Sequence, residues 1–144
     1  MSSPHHLDEP GAPLLFASGA PGLVVTDVDS TLITQEVIEE LAEAAGTREQ
    51  VAAVTARAMN GELDFAESLR ERVATLRGVP HSVFADVLAR ITPTKGAREL
   101  IDAVHAAGGH FGVVSGGFEE VVAPLAASLG IDFYAANRLE VVDG

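Results

Sequence analysis

The chain has 144 residues, of which 47% are hydrophobic, and its formal net charge is −12. Length and composition indicate a globular chain of one domain, or of one domain with an insertion, and exclude an intrinsically disordered one. The negative charge argues against nucleic acid or an anionic membrane as the partner. The absence of cysteine excludes disulfides, a thiolate nucleophile and Cys-bound zinc.

The N-terminal segment shows neither helical nor strand periodicity. Residues 1–21 are rich in Pro, Gly and Ser and are predicted to form a flexible arm, in which His5 and His6 are ordinary solvated side chains. The segment lacks the pattern of a signal peptide, and no apolar run in the chain approaches transmembrane length. We therefore expect a cytoplasmic protein.

Two aspartates stand at the end of the first predicted strand. Residues 23–28 are apolar and β-branched, which is typical of a buried strand, and Asp27 and Asp29 are followed at once by Ser30 and Thr31. The carboxyl ends of parallel strands are where open α/β sheets bind ligands. Two carboxylates this close repel each other, which favours a metal cation on one and a proton on the other. The pair is suited to phosphoryl transfer through a carboxylate nucleophile.

Four amphipathic helices are predicted between residues 36 and 90. Gly46 ends the first, Thr47 and Gln50 form a capping box for the second, and Asp64 caps the third. The four helices are predicted at residues 36–45, from Thr47 to Met59, from Asp64 to about residue 78, and at residues 82–90.

The last third of the chain has an α/β pattern. Pro124 must kink its helix or begin a new turn there. Asp143 and Gly144 are a strong hairpin signal whose returning strand is absent, so we expect a chain that is cut rather than finished. The predicted elements are a helix at 95–107, a strand at 111–114, a helix after Gly117, and strands at 131–136 and 139–142.

A second group of polar residues follows the strand at 111–114. Ser115, Gly116 and Gly117 directly precede a predicted helix, where backbone N–H groups and the helix dipole attract an anion. Alone, the motif is better explained as an ordinary strand-to-helix turn with Ser as the cap. Together with the aspartate pair, it indicates a phosphate site.

Arg72 is distinguished by its place on the third helix. It lies about 60° from Leu69, at the margin of the apolar face, whereas Arg70 lies about 100° away, where a surface charge is expected. Such an arginine either extends its charge to solvent or meets a buried anion, and the wheel alone favours neither. Glu36 is adequately explained by the dipole of the first helix.

These residues resemble the haloacid dehalogenase-like phosphatases, and within that superfamily the phosphoserine phosphatase family. The aspartate motif is typical of the superfamily. Within it, Glu36, Met59, Arg72 and the Ser-Gly-Gly-Phe segment narrow the resemblance to the phosphoserine phosphatase family. The matching segments are 27–31, Glu36, 58–61, 68–72, 91–94, 113–118 and 136–139.

The resemblance implies an α/β fold with a Rossmann-like core, incomplete on its C-terminal side, and a small inserted helical cap. The implied organisation is an arm at 1–21, a core at 22–33 and 92–144, and a cap at 34–91.

The resemblance also implies the hydrolysis of L-phosphoserine to L-serine and phosphate, as in serine biosynthesis. Asp27 would attack the phosphorus and form an aspartyl phosphate, and Asp29 would serve as general acid and then base. Magnesium would bind the Asp27 carboxylate and the Asp29 backbone carbonyl.

Substrate recognition is implied for six further residues. In the family pattern, arginine suits the substrate carboxylate and glutamate suits its ammonium group. The implied substrate-binding residues are Glu36, Met59, Phe65, Arg72, Ser115 and Gly116.

Two motifs of the family have no counterpart in this sequence. A lysine beyond Ser115 is absent, because Lys95 is the last lysine, and so is the Gly-Asp-Gly-x-Asn-Asp turn that completes the metal site. We therefore expect residues 1–144 alone to be nearly inactive and to leave a sheet edge open to self-association. A different small phosphomonoester as substrate, and a non-catalytic module that binds a ligand or partner, remain alternatives.

Overall fold

The computed structural model describes residue 19 and residues 21–144. The predicted arm, with His5 and His6, lies almost entirely outside the described residues. Nine regular elements follow, in the order β1 (Leu23–Thr26), α1 (Val37–Ala45), α2 (Arg48–Met59), α3 (Phe65–Ala74), α4 (Val83–Arg90), α5 (Ala97–Ala106), β2 (His110–Phe118), α6 (Glu119–Leu129) and β3 (Phe133–Asn137).

The three strands form one parallel sheet in the order β1-β2-β3. The register pairs Leu23 of β1 with His110 and Gly112 of β2 with Phe133 of β3. The connection from β1 to β2 runs through α1–α5, and the connection from β2 to β3 is α6. Parallel pairing places the C-terminal ends of all three strands on one edge, where polar residues were predicted to meet.

The first strand is shorter than predicted. It ends at Thr26, and Val28–Leu32 forms an irregular helical turn in which Ile33 N–H donates to the Val28 carbonyl at 3.1 Å. Ser30 within this turn has a left-handed backbone, with φ 53°. Asp27 and Asp29 therefore lie on a tight turn at the end of a strand.

The six helices confirm the amphipathic patterns. Asp64 caps α3 in a capping box with Glu67, as its sequence predicts. The predicted box at Thr47 is wrong, because Thr47 makes no capping bond and its hydroxyl instead accepts a hydrogen bond from Thr75 at 3.3 Å. Pro124 lies inside α6 and does not end it.

Two strand predictions in the last third of the chain are wrong. The strand predicted at 111–114 continues through Ser115, Gly116 and Gly117 to Phe118, whereas the helix predicted after Gly117 is confirmed and begins at Glu119. The register with β3 shifts between Val114 and Phe118, and the Asn137 side chain donates to the Gly116 carbonyl at 3.0 Å.

Residues 139–142 form no strand in the described part of the chain. In a sheet, a carbonyl of the neighbouring strand would accept a hydrogen bond from the Leu139 N–H. This N–H instead donates to the Glu120 carboxylate at 2.9 Å. The apolar character of these residues therefore did not decide their structure. Further on, Asp143 and Gly144 both have positive φ, of 52° and 82°.

One face of the sheet is covered and the other is open. Phe111 and Val113 of β2 are buried in a core shared with α1, α4, α5 and α6. The large apolar side chains left exposed on the opposite face are Leu23, Val25, Val114 and Phe133, with 55%, 48%, 54% and 43% of their surface exposed. None of the helices in the described residues is both long and apolar enough to span a membrane.

Candidate active site

A cavity of about 280 Å³ lies at the C-terminal edge of the sheet. It brings together Asp27 and Asp29 from the turn after β1, Glu36 at the start of α1, and Arg72 on α3. The remaining lining residues are Ile38, Phe65, Leu69, Gly116, Gly117 and Phe118. A larger groove of about 730 Å³, between the α3–α4 connection and residues 139–144, contains none of the predicted site residues.

The two aspartates have different surroundings. Asp27 is exposed, and its Oδ1 accepts the Val28 N–H at 2.7 Å. Asp29 is half-buried, and its Oδ1 accepts the Val37 N–H at 3.2 Å. The second oxygen of Asp29 is near Gly117, where a Cβ would lie 3.7 Å from it. The strand end therefore presents one open carboxylate and one sheltered carboxylate.

The pKa of the Asp29 carboxyl is raised from its ordinary value of 3.8 to about 6, chiefly by burial and to a smaller extent by the charges of Glu36 and Asp27. The Val37 amide and the positive charge of Arg72 act in the opposite direction. Because this pKa is near neutrality, Asp29 can both donate and accept a proton in the pH range of most enzymes. The environment thus distinguishes an exposed carboxylate from a sheltered one whose pKa suits proton transfer.

Arg72 lines the cavity, and one of its three guanidinium nitrogens is hydrogen-bonded in the described part of the chain. Its Nε donates to the Ser68 carbonyl at 3.3 Å, and its terminal nitrogens have no hydrogen bond or ion pair within the described residues. Two terminal N–H groups on a planar fork match a carboxylate. The marginal position of Arg72 on the helical wheel is therefore explained by a polar cavity rather than by solvent alone.

Glu36 is held beside the aspartate turn. The hydroxyl of Ser30 donates to Glu36 Oε1 at 3.3 Å. Phe65 lies over the end of β2, since a Cβ on Gly116 would be 3.2 Å from the Phe65 ring. An acidic group, a cationic group and an aromatic ring thus line the same cavity as the open carboxylate of Asp27.

Two predicted site residues do not line the cavity. Ser115 is buried behind it and accepts the Gly117 N–H at 2.9 Å, so its hydroxyl supports the strand end. Met59 is 85% exposed at the end of α2.

A model of the haloacid dehalogenase-like hydrolases matches residues 24–144. The chain belongs to this family. Its parallel sheet with flanking helices is the Rossmann-like core of these hydrolases, and α1–α4 form a helical insertion after β1. The resemblance in the sequence motifs is therefore confirmed.

Phosphoserine phosphatases are prominent among the similar proteins. The chain is 56% identical over 127 residues to the phosphoserine phosphatase of Streptococcus thermophilus. The aligned region covers 88% of this chain and 59% of that relative. A solved phospho-aspartyl intermediate analogue of phosphoserine phosphatase is 43% identical, with a TM-score of 0.78 over 87% of this chain and 60% of that one. A substrate-bound phosphoserine phosphatase complex has the same identity and TM-score, over 85% and 59%. The chain thus spans about three fifths of the length of these relatives.

Sequence reasoning missed three residues that line the cavity of this hydrolase chain. Ile38, Leu69 and Phe118 form part of its apolar wall. All three lie near motif residues, Ile38 two positions after Glu36, Leu69 three positions before Arg72 and Phe118 directly after Gly117, so proximity to the motifs was the available signal. The hydrogen bond from Ser30 to Glu36 had no signal in the sequence, because it depends on the left-handed turn.

Proposed function

We propose that this chain carries the nucleophile, the acid–base group and the substrate-recognition residues of a magnesium-dependent phosphoserine phosphatase. The observation that supports the proposal most strongly is the cavity itself. It combines an open carboxylate, a sheltered carboxylate of raised pKa and a guanidinium in a chain similar to phosphoserine phosphatases.

In this proposal Asp27 is the nucleophile. One of its carboxylate oxygens bonds to phosphorus as the bond from phosphorus to the serine oxygen breaks, and Asp29 transfers its proton to the departing oxygen. A water then attacks the aspartyl phosphate, Asp29 removes a proton from that water, and phosphate and free Asp27 result. The raised pKa of Asp29 suits both transfers.

Arg72 would bind the substrate carboxylate and Glu36 its ammonium group. Phe65 and Gly116 line the space between them and the aspartates. Ser115 would act by holding Gly117 rather than by direct contact, given its hydrogen bond. Met59 stays a prediction that requires α2 to move toward the cavity.

The residues present fit magnesium in part. The donors at the strand end are hard oxygens, which Mg²⁺ prefers, and Mg²⁺ commonly binds to one or two carboxylates while keeping several waters. No cluster of three or more metal-ligating side chains occurs among residue 19 and residues 21–144. Asp27 and the Asp29 backbone carbonyl would hold the ion, and the bound ion would neutralise phosphate charge beside the carboxylates.

Three further predictions remain proposals. We propose the division into a core at 22–33 and 92–144 and a cap at 34–91, and a cytoplasmic location. We also propose self-association through an uncovered sheet edge, because β1 and β3 each pair on one side only in the described structure. Sedimentation of the chain and of Val25→Lys, on the edge strand β1, would test this, and equal monomer fractions would contradict it.

The activity is tested by joining residues 1–144 to the part of the Streptococcus thermophilus relative that follows the matched region. We expect this chimera to release phosphate from L-phosphoserine, the 144-residue chain alone to release almost none, and Asp27→Asn in the chimera to lower kcat by at least about 10³-fold. Asp102→Asn, on the exposed side of α5, is the matched control. A folded chimera that hydrolyses only other phosphomonoesters favours a different phosphatase, and one that hydrolyses none favours a non-catalytic module.

A further inference from the structure

Two linkers connect the α1–α4 insertion to the sheet, and they run side by side. Ile33, on the linker into α1, pairs with Pro93, on the linker out of α4, through an antiparallel bridge. The Thr34 N–H donates to the Thr92 carbonyl at 3.0 Å. Together with the core that α1 and α4 share with the sheet, these two segments therefore help to set the position of the insertion over the cavity.

The side chain of Gln35 joins the two linkers. Its Oε1 accepts the Thr92 N–H at 2.9 Å, and its Nε2 donates to the Arg90 carbonyl at 3.1 Å and to the Thr92 hydroxyl at 3.4 Å. One amide thus makes three contacts with residues 55 to 57 positions away. The Arg90 side chain continues the connection by binding the Glu40 carboxylate of α1 at 3.2 Å.

The backbone of Gln35 reaches the aspartate turn. Its carbonyl accepts the N–H of Ser30 at 3.1 Å, and Ser30 directly follows Asp29. Gln35 also precedes Glu36, whose carboxylate lines the cavity. A single residue therefore connects the exit linker, the aspartate turn and a cavity side chain.

We infer that Gln35 is a positioning residue that holds the insertion, and with it Arg72 and Phe65 of α3, over Asp27 and Asp29. Without its side chain the linkers lose three hydrogen bonds and keep their backbone contacts, the Thr94 hydroxyl bond to the Thr31 carbonyl and the Arg90–Glu40 ion pair. Hinge residues of this kind absorb domain movements. The consequence for catalysis rests on the proposed function, whereas the position of the insertion does not.

The test measures the separation of insertion and core directly. The chain has no cysteine, so spin labels can be attached at Met59→Cys on α2 and Ala127→Cys on α6, both at exposed positions. Electron–electron double resonance then gives the distance distribution for the chain with Gln35, with Gln35→Met and with Gln35→Glu. Gln50→Met, an identical change at an exposed position of α2, is the matched control.

We expect Gln35→Met to broaden the distribution about twofold, because it removes the three hydrogen bonds between the Gln35 amide and the exit linker. Gln35→Glu should broaden it less, since it keeps an acceptor for the Thr92 N–H, and Gln50→Met should leave it unchanged. An unchanged width in Gln35→Met, even with a lowered thermal midpoint, would show that the residue contributes stability alone and would overturn the inference. Rapid amide exchange at Thr92 in the unaltered chain would overturn it as well, even if the variants did not fold.

Discussion

Replacement of Asp29 by Asn should stabilise the folded chain at neutral pH. The folded pKa of Asp29 is about 6, above the ordinary value of 3.8. The folded state therefore binds more protons than the unfolded state between these values, and stability falls as pH rises from 3.8 through 6. A difference of about 2 pH units corresponds to about 3 kcal/mol, and screening by solvent at the half-buried side chain reduces this to about 1–2 kcal/mol.

Urea unfolding at pH 7.5 and pH 4 measures this effect. Asn is neutral, like protonated Asp, and keeps an oxygen to accept the Val37 N–H. We expect Asp29→Asn to raise the free energy of unfolding by about 1–2 kcal/mol at pH 7.5 and to change it little at pH 4. Asp102→Asn, at an exposed position of α5, should show no such pH dependence. Destabilisation by Asp29→Asn at pH 7.5 would refute the reasoning that burial sets this pKa.

Three other substitutions test separate parts of the structure. In the chimera, Arg72→Ala should raise KM for L-phosphoserine about 10- to 100-fold, because it removes a charged hydrogen-bond donor. It should leave the KM for an aryl phosphate without a carboxylate unchanged, and Arg70→Ala should change neither KM. Equal losses on both substrates would indicate that Arg72 serves packing instead. Gly112→Ala should lower the free energy of unfolding by about 1–3 kcal/mol, because its Cβ would lie 2.0 Å from the Phe133 ring; an unchanged urea midpoint would show that the ring moves aside freely. Asp132→Asn should lower the thermal midpoint at pH 7, and lower it less at acidic pH. The hydrogen bonds from the Phe111 amide and then from His105 lower the pKa of Asp132, so the stabilisation by its charge is lost as pH falls through that pKa. A difference that does not depend on pH would contradict this.

The sequence predicted the helices well because their patterns are local. Spacing of apolar residues placed α1, α4 and α5 within about two residues of their observed bounds. Strand ends depend instead on partners distant in sequence. The glycines at 116 and 117 look like turn residues, yet they lie within β2, between Val114 and Phe118, which both pair with β3. Residues 139–142 are mostly apolar, as in a strand, yet the Leu139 N–H donates to the Glu120 carboxylate.

The same distinction holds for the candidate site. Asp27, Asp29 and Arg72 were found from strand position and helical spacing, and the structure brings them to one cavity. The contacts of Gln35 with Arg90 and Thr92 could not be predicted, because they form only when two linkers far apart in sequence meet. The exposed position of Met59 depends in the same way on how α2 lies relative to the cavity.

The central proposal is that Asp27 accepts a phosphoryl group from phosphoserine. Its most direct test is peptide mapping by mass spectrometry after the chimera is mixed with L-phosphoserine and Mg²⁺ and quenched in acid. We expect the mass of one phosphoryl group on the peptide that contains Asp27, and no addition to that peptide in Asp27→Asn. A phosphoryl group on another residue, or one that persists in Asp27→Asn, would contradict the assignment of Asp27 as the nucleophile.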